Sequence, residues 1–172
     1  MMMRMIDAGG IPALTDNLRA ADDDNPRGYF EFEPVKRTKE DPSWLALAEG
    51  KVVKMVYRLL YDLPADREYR VVFMQRNLAE VIASQNVMLD RQGKSAGPLS
   101  DEKLMGLFQV ELSKADQWLR AQPNFRLLYV NYNAALQDPQ PAVRAVNEFL
   151  GGDLDTQAML RVVEPALYRQ RR

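Results

Sequence analysis

Two short runs, residues 69–74 (Tyr-Arg-Val-Val-Phe-Met) and 126–130 (Arg-Leu-Leu-Tyr-Val), constrain this chain more than any other feature. Each is nearly continuous in apolar character, the pattern of a strand covered on both faces and therefore of a parallel sheet. A third apolar run at 52–56 (Val-Val-Lys-Met-Val) is read as another strand. Amphipathic helices separate and follow these runs. Asn77 is placed to cap one, with Glu80 at the capping-box position and Leu78, Val81, Ile82, Met88 and Leu89 on its apolar face. Ser100 caps the next, which carries Leu104, Phe108, Leu112, Ala115 and Leu119 at helical spacing. Asp138-Pro139 opens a third that bears Val143, Val146 and Leu150 and stops at Gly151-Gly152, and Asp155 caps a fourth that ends before Pro165. Strands alternating with such helices predict an α/β fold with a parallel sheet flanked by helices. A uniformly helical bundle is the structural alternative.

Length and composition narrow the class further. A chain of 172 residues, 47% hydrophobic, fits a single domain spanning 1–172. It has no cysteine, which excludes disulfides and thiolate metal sites. It has no histidine either, which removes the usual general base near neutral pH and the commonest metal ligand, so no metal is expected. A net charge of -1 argues against a nucleic-acid partner. No apolar run approaches the roughly 18–20 residues of a membrane helix, and no targeting signal is visible, so no membrane partner and a cytoplasmic location are the expectations.

Residues 1–8 read as a methionine-rich helix stopped by Gly9-Gly10, with no Ser, Thr, Asp or Asn ahead of it to cap the free N–H groups. Residues 11–14 suggest a short edge strand, where Pro12 is tolerated. The stretch 22–41 is polar, with a turn at Asp24-Asn25-Pro26-Arg27-Gly28, and reads as a long loop with a short helix ending near Trp44.

In open parallel sheets, ligands bind beyond the carboxyl ends of strands, near helix N-termini. Arg76 holds that place, directly after the 69–74 strand and directly before the Asn77 cap. An arginine beside free backbone N–H groups suits a phosphate, although a surface ion pair would serve the same spacing. Ser84 follows two turns into the same helix.

The run from Val72 to Ser84, Val-Phe-Met-Gln-Arg-Asn-Leu-Ala-Glu-Val-Ile-Ala-Ser, resembles the R-N-P-x-D-x-x-x-S segment of sulfotransferases. Lys51-Val52-Val53-Lys54 ahead of Leu63-Pro64 is similar to the strand and loop before it. Val130-Asn131-Tyr132 with Asp138-Pro139 and Phe149-Leu150-Gly151 resembles the late strand and helix. The segments 24–36 and 165–170 look like those of a bacterial sulfotransferase-like P-loop subgroup. The resemblance implies a P-loop nucleotide-binding, three-layer sandwich that transfers a sulfuryl group from 3′-phosphoadenosine 5′-phosphosulfate (PAPS) to a small-molecule hydroxyl or amine acceptor. It implies that Arg76 and Ser84 hold the 3′-phosphate, that Tyr132 lies close to the nucleotide, and that Lys54 is the catalytic cation.

The same resemblance has departures. Leu78 and Glu80 stand where the family motif has proline and aspartate, and Met55 and Val56 occupy the region of its usual histidine base. No stretch resembles the G-x-P-R-S-G-T-S loop, and residues 1–10 resemble the helix that follows it. The chain is therefore expected to be an N-terminally truncated form of the fold, whose exposed strand edges favour a homo-oligomer. Arg4 is a second candidate cation, Glu31 and Glu33 are candidate bases, and Tyr29 and Phe30 are candidate linings of an acceptor pocket. Two alternatives stay open: a non-catalytic nucleotide-binding remnant, and a P-loop kinase-like phosphotransferase.

Overall fold

The structure is a computed structural model, and it describes residues 1–19, 28–91, 93 and 99–163. Residues 24–27 of the expected turn and the segment 165–170 lie outside the described residues, whereas the helix capped by Asp155 ends at Arg161, before Pro165 as expected. Its centre is a parallel pair of strands, β1 (Tyr69–Gln75) and β2 (Phe125–Asn131). The register runs from Tyr69 opposite Phe125 to Gln75 opposite Asn131. The crossover between them carries two helices that pack on each other, α3 (Leu78–Arg91) and α4 (Asp101–Ala121). After β2 come α5 (Tyr132–Gln137), α6 (Pro139–Leu150) and α7 (Thr156–Arg161), while α1 (Met2–Ala8) and α2 (Leu45–Ala48) precede β1. The fold is α/β, a parallel sheet flanked by helices.

Period-two alternation sends β1 and β2 side chains to two different layers. Val72 and Met74, with Leu128 and Val130, face a core made of Met2, Met5 and Ile6 of α1, Val143 and Val146 of α6 and Met159 of α7. Phe73 and Tyr129 point the other way and stack at 5.7 Å between ring centroids, on the side where α4 buries Ala115 and Leu119. A second, smaller core gathers Val35, Trp44 and Leu45 with Val53, Met55 and Tyr69 around them. Within it Trp44 Nε1 donates to Thr38 Oγ1 at 3.1 Å, which explains how Thr38 can be buried.

The caps behave as their sequences predict. The backbone N–H groups of Ala79, Lys103, Gln140 and Ala158 donate to the side chains of Asn77, Ser100, Asp138 and Asp155 respectively. The first helix has no side-chain cap. Its C-terminus lies so close to α7 that a Cβ on Gly9 would stand 2.9 Å from Met159 Cγ, and the Gly9 carbonyl accepts the Asp155 N–H at 3.0 Å.

Three expectations need correction. Residues 52–56 are not a strand of the sheet. Val52 makes one isolated parallel bridge to Ala13, through Leu14 N–H to Val52 O (2.9 Å) and Val52 N–H to Pro12 O (3.0 Å). Continuing the ladder toward Lys54 would need the Asp16 N–H, which donates to Glu31 O at 3.2 Å instead, and Val56 is 61% exposed rather than covered. For the same reason the 11–14 segment is a single bridge and not an edge strand. Glu80, finally, is 1% exposed and directed into the molecule, so the reciprocal capping box is not the role its surroundings give it.

Candidate anion-binding site at the carboxyl edge of the sheet

The register of the two strands builds the site. Gln75 and Asn131 are the last paired residues, so the residues that follow, Arg76 and Tyr132, leave the sheet side by side. The chain turns into α3 after Arg76 because Asn77 caps it, and into α5 at Tyr132 because Asn131 Oδ1 accepts the Ala134 N–H at 2.9 Å. The Arg76 guanidinium carbon lies 4.8 Å from the centroid of the Tyr132 ring, a cation–π contact.

Below it sits Glu80, one helical turn on. Its Oε2 is 3.8 Å from Arg76 Nε, within ion-pair range and too far for a hydrogen bond. Asn133 Nδ2 donates to both Glu80 oxygens at 3.1 Å, which clamps the carboxylate from α5. The side chain of Arg76 keeps 30% of its surface exposed, whereas its Nε is buried and has no hydrogen-bond acceptor. The buried Nε edge is turned to Glu80, so it is the part of the side chain that stays exposed that an anion could reach. Ser84 is half-buried four residues beyond Glu80 and so lies on the same face of α3. Arg76 and Tyr132 therefore share one corner of the fold, and Ser84 stands two turns from it along α3.

Lys54 does not join that corner by any hydrogen bond or ion pair. It is exposed, follows the Val52 bridge instead of ending a strand, and pairs with Glu31 at 3.6 Å. Glu31 also pairs with Arg19 at 3.5 Å. Lys54 is nonetheless near α1, because burial first, then the charges of Arg4 and Lys54, lowers the pKa of the Met1 amine. Glu33 pairs with Lys36, and Tyr29 takes the Arg19 guanidinium at 3.5 Å from its ring centroid, which ties the candidate acceptor loop to the 15–19 segment. Asn133 and α5 were not expected. The signal for the helix was present in Asn131, a cap residue, but nothing in the spacing links Asn133 to Glu80.

A cavity of about 290 Å³ lies at the opposite, amino end of the strands, lined by Glu68, Tyr69, Arg70, Pro123, Asn124 and Arg126. It shares no residue with the Arg76 corner. No helix among the described residues is long and apolar enough to cross a membrane.

A parallel sheet with an arginine and a capped helix at its carboxyl edge is an arrangement in which α/β proteins commonly hold phosphate or sulfate groups. Residues 52–172 match the family described as "Sulfotransferase domain", and the chain belongs to that family. Comparison with curated proteins gives no match, and comparison with solved structures gives none either. Family membership supports sulfotransferase activity in general and a transferase class for the enzyme.

Proposed function

We propose that this protein transfers a sulfuryl group from PAPS to a small-molecule hydroxyl or amine, with Arg76 and Ser84 on the 3′-phosphate and Tyr132 against the nucleotide. The observation that carries this reading is the Arg76 guanidinium, partly exposed and set against the Tyr132 ring at the carboxyl edge of the sheet. An arginine so placed can give a phosphate charge-assisted hydrogen bonds, and Ser84 can add a hydroxyl from two turns along α3. In the reaction the acceptor oxygen or nitrogen attacks sulfur, the bond from sulfur to the bridging oxygen breaks to release adenosine 3′,5′-bisphosphate, and the acceptor's proton passes to solvent. Catalysis of this kind rests on in-line positioning and on cations matched to developing charge. Lys54 is assigned that charge, released from Glu31 as the anionic donor arrives.

Binding of adenosine 3′,5′-bisphosphate, followed by calorimetry, tests the site. Arg76→Ala is expected to weaken it by about tenfold or more, and Ser84→Ala by several-fold, the loss of one charge-assisted and one neutral hydrogen bond. Ser84→Ala leaves the Arg76–Glu80 pair intact, so it reports on the phosphate without disturbing a buried charge. Equal affinities across wild type and both variants would sink the assignment. Lys54→Ala is expected to lower turnover with little change in bisphosphate affinity. Preferential binding of ATP with magnesium would favour the kinase-like reading instead.

A further inference from the structure

We infer that Glu80 and Asn133 form a positioning pair that fixes the Arg76 guanidinium for phosphate recognition. The inference rests on the proposed bisphosphate reading of the same corner, and names two residues that reading does not use. Three observations carry it. Glu80 is 1% exposed, and a carboxylate so buried is costly unless cations and donors answer it. Its two oxygens are not left to α3 alone, because Asn133 Nδ2 reaches both of them at 3.1 Å from a different element. A cation that answers it is Arg76, whose Nε faces Oε2 at 3.8 Å while its guanidinium carbon stands 4.8 Å from the centroid of the Tyr132 ring.

The arrangement constrains Arg76 from two sides. A guanidinium is planar, with Nε on one edge and the terminal nitrogens beyond it. Drawing Nε toward a fixed carboxylate and holding the guanidinium carbon over an aromatic ring leaves less rotational freedom in a side chain that otherwise carries several rotatable bonds. The ordering cost is then met on folding and not on binding, which is the general gain of preorganisation. The clamp also ties α5 to α3 across the ends of the two strands, so the anion corner depends on β1 and β2 standing in register. A carboxylate near an anion site has an opposing effect, since it repels the incoming phosphate. It stands on the Nε side of the guanidinium, however, and Coulomb repulsion falls with that added distance.

The test compares the full chain with Glu80→Gln, which keeps volume and can still accept from Asn133 but removes the charge that draws Nε. Affinities for adenosine 3′,5′-bisphosphate and for adenosine 5′-phosphate are measured together. A purely structural role would weaken both ligands alike. Positioning of Arg76 predicts that the preference for the 3′-phosphorylated ligand falls about fivefold or more, and that Glu80→Gln adds no further loss of preference in an Arg76→Ala background. An unchanged or increased preference overturns the proposal. A second readout needs no ligand: exchange of the Arg76 Nε proton, followed by NMR, is expected to be slower in wild type than in Glu80→Gln, and equal rates overturn the proposal as well. If wild type binds neither nucleotide, the bisphosphate reading fails, and the exchange rates still decide whether Glu80 holds Arg76. Asn133→Ala serves as the second variant should Glu80→Gln not fold, with the same direction expected in both readouts.

Discussion

Arg76 and Tyr132 are successors of a hydrogen-bonded strand pair, and their side chains meet with the guanidinium 4.8 Å from the ring centroid. Fifty-odd residues of chain separate them, yet the parallel register sets them side by side. The site is thus a property of the sheet before it is a property of any loop.

That contact makes the ring of Tyr132 the part that matters to Arg76. Tyr132→Phe is expected to keep bisphosphate affinity within about twofold, whereas Tyr132→Leu removes a cation–π contact of about 0.5–2 kcal/mol and weakens binding several-fold. Calorimetric titration of both variants checks the contrast, and a Leu variant that binds as well as wild type would remove Tyr132 from the site.

The contact of Gly9 with Met159 gives a stability prediction with a built-in control. The backbone of Gly9 is right-handed, φ -73 and ψ -10, so alanine is conformationally acceptable there and only space opposes it. An added Cβ meets Met159 Cγ at 2.9 Å and Sδ at 3.0 Å. Gly9→Ala is expected to destabilise the fold by about 1–3 kcal/mol through overpacking. Met159→Ala alone should cost about 2–5 kcal/mol as a cavity in the fully buried core. The double variant should lose less than the sum, since one change makes room for the other. Urea denaturation of the four proteins measures the coupling.

A hydrogen-bonded cluster on the α4 face of the sheet predicts how stability responds at the extremes of pH. Burial, then the hydrogen bond to Asp116, pushes the Tyr129 phenol above its ordinary value. The hydrogen bond from Arg120, then that from Tyr129, holds the Asp116 carboxyl below the usual carboxylate range. A raised phenol favours the folded state below its unfolded value, and that contribution disappears as pH rises through the folded one. A lowered carboxylate favours folding above its unfolded value, and its contribution disappears as pH falls through the folded one. Melting temperatures should therefore fall less steeply for Tyr129→Phe than for wild type above about pH 10, and less steeply for Asp116→Asn below about pH 4. Parallel melting curves for wild type and variant would show that the pair contributes nothing to folding.

The central strands and the capped helices were legible because their causes are local. Continuous apolar runs marked β1 and β2, and Ser100, Asp138 and Asp155 marked helix starts that the backbone then used. The 52–56 run failed for a reason outside itself: a strand needs a partner, and the segment offered to it gives its next N–H, that of Asp16, to Glu31 O. Arg76 could be placed from its position between strand and cap. Glu80 could not, because at that spacing a capping box and a buried ion pair read alike, and the deciding residue, Asn133, is brought in by a tertiary contact across α3 and α5. Lys54 shows the converse, a residue whose motif spacing is right and whose surroundings give it Glu31 as a partner.

The pairing of Tyr69 with Phe125 also fixes an order of events in time. Its first hydrogen bonds close a loop that contains both α3 and α4, and long-range closure of that kind is the slow part of folding. The helices can nucleate on their own caps well before the strands meet. A refolding chain should thus regain its helical circular dichroism early and its grip on an anion last, since the corner that holds Arg76 beside Tyr132 does not exist until the final zipper of the sheet has closed.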